Sequence, residues 1–369
     1  MKIAFVTSGL EPEANGVGDY TRRLAAELTR TGHVCRLIAL NEPPNGGGML
    51  GGPLRLTGEM EWPGRVRLAA RALDEFNPDW ASLQFVSYGF NPRGIIRNQA
   101  AGLASLFSAR RTHFMFHEIW TGERANAGWK ERFTGAIQKK YILDLFGKIR
   151  PRLVTTTNAV YRAVLARNGV EAHEHPLFGN IEPGTAAAGD WLRQRLHRAG
   201  VEIPGERNGY WLFGFFGIIQ SEWSPESVFP QIAEAAGGKR PVMLWVGRAG
   251  GGRKRVWDAM ARDYPAFTFI RLGAQPAERV SEFLNTIDAG ISTMPVELIR
   301  KSGTAVAMFE HGVPVIVSRE EPFRGIGSEA PDEPLLRRAD GLAAGLPSRG
   351  EHRCRLPEAA AMLLRDMEG

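Results

Sequence analysis

Short apolar runs alternate with stretches of helical spacing along most of the chain. A run at 2–7 is followed by a helical pattern from Asp19 to Arg30, a second run from Val34 to Leu40, and helical spacing again from Val66 to Phe76. Further apolar runs lie at 81–86, 113–116 and 153–156, each separated by enough chain for a helix. This alternation predicts parallel strands joined by helical crossovers, a doubly wound α/β domain. The Gly- and Pro-rich stretch 43–63 reads as a long loop.

Between residues 176 and 208 the rhythm breaks into Phe178-Gly179-Asn180, Glu182-Pro183-Gly184 and Ile203-Pro204-Gly205, the composition of an inter-domain connection. A second βα series follows, with strands predicted at 211–216, 242–246, 267–271, 289–292 and 313–317 and an amphipathic helix at 357–367. The expected organisation is a Rossmann-like domain over 1–185, a second over 186–355, and a closing helix in 356–369 that packs back on the first.

A chain of 369 residues, 43% hydrophobic and 23% charged, is long enough for two domains that each bury a core. Cys35 and Cys354 show no C-x-x-C or metal-ligand spacing, so neither a disulfide framework nor a zinc site is expected, and a reducing cytoplasm fits. The opening run Ile3-Ala4-Phe5-Val6 is too short for a signal-peptide core or a membrane span. A net charge of +6 favours anionic ligands or surfaces without saying which.

The first strand leads into a loop ending Asn15-Gly16-Val17-Gly18-Asp19, directly before a helix. Backbone amides of Gly16 and Val17 at a helix start suit an anion, although Gly-x-Gly alone more readily marks a plain strand-to-helix turn. The third glycine of the dinucleotide fingerprint is absent. In the second half, Glu297-Leu298-Ile299-Arg300-Lys301-Ser302-Gly303-Thr304 precedes another predicted helix. Lys301 brings charge there, and Ser302, Gly303 and Thr304 bring hydroxyls and amides; the plainer reading is an N-capped helix with a solvated lysine.

The segment Gly16-Val17-Gly18-Asp19-Tyr20-Thr21-Arg22-Arg23-Leu24 with Thr31-Gly32-His33-Val34 resembles the opening of family-4 glycosyltransferases of the GT-B fold. The resemblance covers most of the chain, including Phe267–Gly273, Ile287-Asp288-Ala289-Gly290 and His311-Gly312-Val313-Pro314-Val315-Ile316. It implies two Rossmann-like domains facing a cleft, a nucleotide-sugar donor on the second, a hydroxyl acceptor on the first, and transfer with retention. By its place after the fourth strand, His117 resembles the family histidine that contacts the donor sugar. Glu118 and Asp19 become acceptor-side candidates, and Gly273, Ala274 and Gln275 the expected contacts to the base. Gly16, Val17, Lys301, Ser302, Gly303, Thr304 and Arg248 form the expected diphosphate set, with His117, Lys301 and Glu297 as the catalytic candidates.

The sequence departs from that family where the donor should bind. Its glutamate pair falls on Ile299 and Ala307; Glu297 replaces the first after a small shift, but its partner would then be Ala305. The Arg and Lys expected after the first strand of the second domain are missing from Phe216-Gly217-Ile218-Ile219-Gln220-Ser221-Glu222-Trp223. A departing diphosphate needs positive charge, which leaves Lys301 first and Arg248 second. Gly247–Lys254 lacks the Lys and Ser/Thr of a phosphate-binding Walker loop.

No Asp-x-Asp pair occurs, so transfer without a metal or other cofactor is expected. His173-Glu174-His175 places two imidazoles on one strand face with no third ligand nearby in sequence, which reads as a polar strand. From 128 to 152 basic residues interleave with Trp129, Phe133, Ile137, Tyr141 and Phe146. That pattern suits a helix packed on the sheet, or weak peripheral attachment of a cytoplasmic protein to an anionic membrane. No nucleic-acid partner is expected. A transferase is the reading, with a nucleotide-sugar epimerase, a phosphorylase, or a non-catalytic nucleotide- or sugar-binding protein as its rivals.

Overall fold

Ile3, Ala4, Phe5 and Val6 are all fully buried in strand β1 (Lys2–Thr7). Burial of consecutive residues, hence of both faces, belongs to a central strand of a parallel sheet covered on either side. The computed structural model describes the chain except for residues 13–15, 45–51, 185–188, 202–208, 249–251, 328–330 and 347. Asn15 and the expected domain boundary at 185–186 lie outside the described residues. The chain divides into two units, the first made of Met1–Leu177, Pro322–Ser328 and Leu356–Gly369, the second of Phe178–Glu321 and Glu329–Arg355.

In the first unit β1 is followed by α1 (Gly16–Arg30), β2 (Val34–Glu42), β3 (Leu54–Thr57), α2 (Trp62–Phe76), β4 (Trp80–Phe85) and the short α3 (Ser87–Phe90). Then come α4 (Ala100–Phe107), β5 (Thr112–Phe116), α5 (Trp129–Ile149), β6 (Leu153–Thr156), α6 (Ala159–Arg167) and β7 (His173–Glu174). The seven strands lie in the order β3-β2-β1-β4-β5-β6-β7, every pairing parallel. Strand order reverses between β1 and β4, the switch point at whose carboxyl edge open α/β sheets bind ligands. Strand β3 lies inside the stretch read as loop. Its buried Leu54 and Leu56 alternate with half-buried Arg55 and Thr57, a period too brief to stand out.

The second unit runs α7 (Asp190–Arg198), β8 (Tyr210–Phe216), α8 (Phe229–Ala235), β9 (Arg240–Val246), α9 (Gly252–Asp263), β10 (Thr268–Gly273) and α10 (Ala277–Thr286). It continues with β11 (Ala289–Ser292), α11 (Gly303–Glu310), β12 (Val315–Val317) and β13 (Leu336–Arg338). Its six-stranded sheet has the order β10-β9-β8-β11-β12-β13, again all parallel, with the switch point between β8 and β11. Two apolar clusters cover the sheet, one around Leu244, Phe283 and Val315, the other around Phe213, Phe229 and Trp245.

The last helix, α12 (Leu356–Glu368), belongs to the first unit and packs on α1. Asp366 Oδ2 lies 2.8 Å from His173 Nδ1 and 2.9 Å from His175 Nε2, so the two imidazoles gain a shared carboxylate distant in sequence. Among the described residues no group of three or more His, Cys, Asp or Glu has the arrangement to hold a metal ion. The three residues are a hydrogen-bonded clamp on α12. Segment 322–327 is likewise tied to the first unit: the Ala125 amide donates to the Pro322 carbonyl at 2.7 Å and the Arg324 amide to the Glu123 carbonyl at 3.0 Å.

Candidate functional site

At the carboxyl edge of the first sheet, Gly16 and Gly18 have different duties. A Cβ on Gly18 would sit 2.6 Å from the Gly9 carbonyl oxygen, so glycine is what lets the start of α1 lie against the loop after β1. Gly16 is exposed with open space around it, leaving packing no claim on it. The amides of Gly16 and Val17 belong to the first turn of α1, where no intrahelical acceptor exists. Asp19 is ion-paired with Arg22 one turn on.

His117 follows β5, its amide extending the ladder to the Phe85 carbonyl at 3.1 Å. Its ring is buried, with Tyr20 of α1 edge-on at 4.8 Å and Gln84 Oε1 2.8 Å from its Nε2. Burial pushes the Tyr20 phenol well above its ordinary pKa, so it stays neutral. Thus α1 and His117, far apart in sequence, meet through Tyr20, a residue the sequence reading did not single out. Glu118 is half-buried beside His117.

In the second unit the carboxyl edge is lined by glycine. The Gly217 amide donates to the Val246 carbonyl at 2.8 Å, and the Gly247 amide to the Gly273 carbonyl at 3.0 Å. These bonds draw together the ends of β8, β9 and β10. Gly217 has φ +82° and Gly273 φ +75°, the region L side chains avoid. A Cβ on Gly217 would meet the Thr304 methyl at 2.7 Å, so the start of α11 lies against the end of β8. Gly217→Ala is therefore expected to cost about 1–2 kcal/mol in backbone strain alone, read as a lower urea midpoint; an unchanged midpoint would count against this close approach.

Residues 296–301 form a 3-10 helix that delivers half-buried Lys301 to the start of α11. Ser302 is the cap: its Oγ accepts from the Ala305 amide at 3.3 Å while its own amide donates to the Ile299 carbonyl at 3.1 Å. Both polar functions of Ser302 are thereby engaged, and the amides that a helix start leaves without intrahelical acceptors are those of Gly303 and Thr304. Glu297 is buried, and its Oε2 accepts from the Glu321 amide at 2.9 Å, which ties the 3-10 helix to the chain after β12. Ile299 and Ala307, where the family glutamates fall, are fully buried in the apolar core. Arg248 is exposed after β9, Ala274 follows the Gly273 turn, and Gln275 Nε2 donates to the Leu272 carbonyl at 2.7 Å.

The sequence matches no protein-family model and no curated protein. In fold the chain is similar to solved structures over essentially its whole length. The crystal structure of Anabaena Alr3699/HepE in complex with UDP-glucose aligns at TM-score 0.54 and 12% identity, covering 100% of this chain and 91% of that one. A glycosyltransferase from Rickettsia africae ESF-5 aligns at 0.57 and 13%, covering 99% and 94%. UDP-GlcNAc 2-epimerase from Methanocaldococcus jannaschii aligns at 0.51 and 11%, covering 100% and 99%. The fold is that of GT-B proteins, two Rossmann-like parallel-sheet domains in one chain.

Proposed function

We propose that this chain is a glycosyltransferase that moves a sugar from a nucleotide-diphosphate donor to a hydroxyl acceptor, with retention of configuration and without a metal ion. The observation that carries the reading is the full-length likeness in fold to a structure holding UDP-glucose. The glycine-lined edge of the second unit, with a cation at the start of α11, supports it.

In this reading Lys301 and the amides of Gly303 and Thr304 stabilise the departing diphosphate, and Arg248 supplies a second cation. A leaving-group oxygen takes the acceptor proton as the glycosidic bond to the nucleotide breaks and the bond to the acceptor oxygen forms on the same face. Gly273, Ala274 and Gln275 hold the base. Glu297, bound to the Glu321 backbone, acts by fixing the approach to Lys301. In the first unit the amides of Gly16 and Val17 suit an anionic group and His117 a sugar hydroxyl, with Asp19 and Glu118 on the acceptor side.

Product analysis with UDP-glucose and a panel of sugar acceptors tests the reading. Release of UDP that requires an acceptor is expected. The fold likeness to an epimerase favours one rival, and UDP-sugar isomerised without any acceptor would establish that rival instead.

Helix α5 gives the protein a further expected property. Ile142, Leu145 and Ile149 are buried, whereas Trp129 and Phe133, one turn apart near its start, are 75% and 65% exposed. Lys130, Arg132 and Lys140 lie on the same helix. Aromatic rings among cations suit the interface of an anionic bilayer. No helix among the described residues is long and apolar enough to cross a membrane. Co-sedimentation with phosphatidylglycerol vesicles but not phosphatidylcholine vesicles is expected, falling several-fold in a Trp129→Ala, Phe133→Ala double variant; equal, negligible binding to both lipids would remove the idea.

A further inference from the structure

A chain of buried polar side chains crosses three strands of the first sheet and ends on His117. Thr155 Oγ1 of β6 lies 2.7 Å from His113 Nε2 of β5, and His113 Nδ1 lies 2.9 Å from Ser82 Oγ of β4. Ser82 Oγ accepts from Gln84 Nε2 at 2.7 Å, and Gln84 Oε1 faces His117 Nε2 at 2.8 Å. At the far end the Thr155 hydroxyl donates to Met115 Sδ at 2.8 Å. Thr155, Ser82 and Gln84 have no exposed surface, and His113 only 2%. The register explains the alignment: Ser82 pairs with His113, Gln84 with Met115, and Met115 with Thr155, so all face one side of the sheet.

The protons in this chain run in one direction. A thioether sulfur only accepts, so the Thr155 hydrogen is spent on Met115 and Thr155 Oγ1 must accept from His113 Nε2–H. Burial holds the His113 imidazole well below its ordinary pKa, so it carries one N–H and its Nδ1 accepts from the Ser82 hydroxyl. Ser82 then accepts from the Gln84 amide nitrogen, which turns Gln84 Oε1 to His117 and makes His117 Nε2 the donor.

We infer that Gln84, held by Ser82, His113 and Thr155, is a positioning residue that fixes His117 as its Nε2–H tautomer and so makes Nδ1 the nitrogen that accepts a substrate hydroxyl. The assignment of the ring stands on the hydrogen bonds together with the neutral state of buried His113; its role toward substrate rests on the reading that His117 contacts the sugar. The bland alternative, a buried polar ladder that only stabilises the sheet, leaves substrate binding indifferent to Gln84. In Gln84→Glu an ionised carboxylate accepts on both sides, so Ser82 must donate to it, His113 must donate Nδ1–H to Ser82, and Thr155 must donate to His113 Nε2. The chain then reverses beyond Gln84 while His117 stays as it was; a protonated carboxyl would donate to Ser82 and leave the chain unreversed.

Nitrogen chemical shifts of 15N-histidine-labelled protein test this. Native protein is expected to show both His113 and His117 as Nε2–H, and Gln84→Glu to convert His113 alone to Nδ1–H. A native His117 in the Nδ1–H form, or an unmoved His113 in a Gln84→Glu protein whose carboxyl 13C shift shows the ionised form, overturns the assignment. Should Gln84→Glu not fold, or keep its carboxyl protonated, Gln84→Met serves: it removes the partner of Nε2, and His117 should become a mixture of tautomers while an unchanged ring overturns the inference. For the role, Gln84→Met is expected to weaken UDP-glucose binding about tenfold and leave UDP binding unaltered. Equal loss of both, or of neither, defeats the positioning role. Native protein that binds neither compound would refute the proposed function instead, with the ring assignment still decided by the shifts.

Discussion

Lys301→Ala is expected to weaken binding of both UDP-glucose and UDP by about 100-fold in calorimetric titration. A hydrogen bond to a charged group contributes about 1.5–3 kcal/mol, which is roughly a 10- to 100-fold change in affinity. The upper end applies because Lys301 adds charge at the start of α11, where the Gly303 and Thr304 amides already favour an anion. Lys301→Arg should recover part of the loss, since charge is retained while reach and geometry change. The cap itself is made by Ser302, so α11 should survive the substitution and the urea midpoint should move little. Affinity within twofold of native for both ligands would sink the diphosphate assignment, whatever the products of the reaction.

Acid should begin to destabilise the protein before its carboxylates titrate. His311 is fully buried, donates Nδ1–H to the Ala307 carbonyl at 2.6 Å, and lies 2.9 Å from Ser281 Oγ. Burial lowers its pKa from 6.5 to about 4, outweighing the Ala307 bond. His113 in the first unit is lowered for the same reason, and His175 is lowered by burial against the pull of Asp366. A histidine whose folded pKa is depressed stays neutral in the native state while the unfolded chain takes up a proton. Its stabilisation is complete above pH 6.5 and drains away as pH falls toward the folded value. For His311 the difference corresponds to at most about 3 kcal/mol, and each proton taken up gives about 1.4 kcal/mol per pH unit within the window. Melting temperatures measured between pH 7 and 4.5 should fall by roughly 5–10 °C. His311→Gln should flatten its share of that slope. A melting temperature constant over this range would refute the argument. Glu131 and Asp366, held below their ordinary values in spite of burial by bonds from Arg124 and from His175 and His173, add to the loss only at lower pH.

Most of the architecture was legible because the strands of a parallel sheet are buried on both faces. Runs such as Ile3–Val6 and Met243–Trp245 announce themselves with no need of long-range information. Strand β3 escaped because a four-residue element gives one and a half periods of alternation. The glycines were visible as letters but not as geometry: that Gly18 is demanded by the Gly9 carbonyl, and Gly217 by Thr304, depends on which loops the fold brings together. The same holds for Ser302, which reads in sequence first as a phosphate contact and only second as a helix cap; its hydroxyl and amide are both used locally. Gln84 carried no signal at all, since a glutamine between apolar residues acquires meaning only through the register that sets it beside His117.

The first unit is assembled from three separated stretches of chain, and this governs how it can be made. His175 meets Asp366 across 191 residues, so at a synthesis rate of about 5–20 residues per second the clamp closes roughly 10–40 s after His175 is made. Until then the nascent unit has β1 to β7 without α12 against α1, and for most of that interval without Phe323 bridged to Arg124 as well. A fragment cut after Leu177 would be arrested in that state, with the buried Leu363 and Met367 of α12 missing from its surface. Genetic dissection of the two units would therefore need a permuted chain in which the closing helix is fused ahead of Met1.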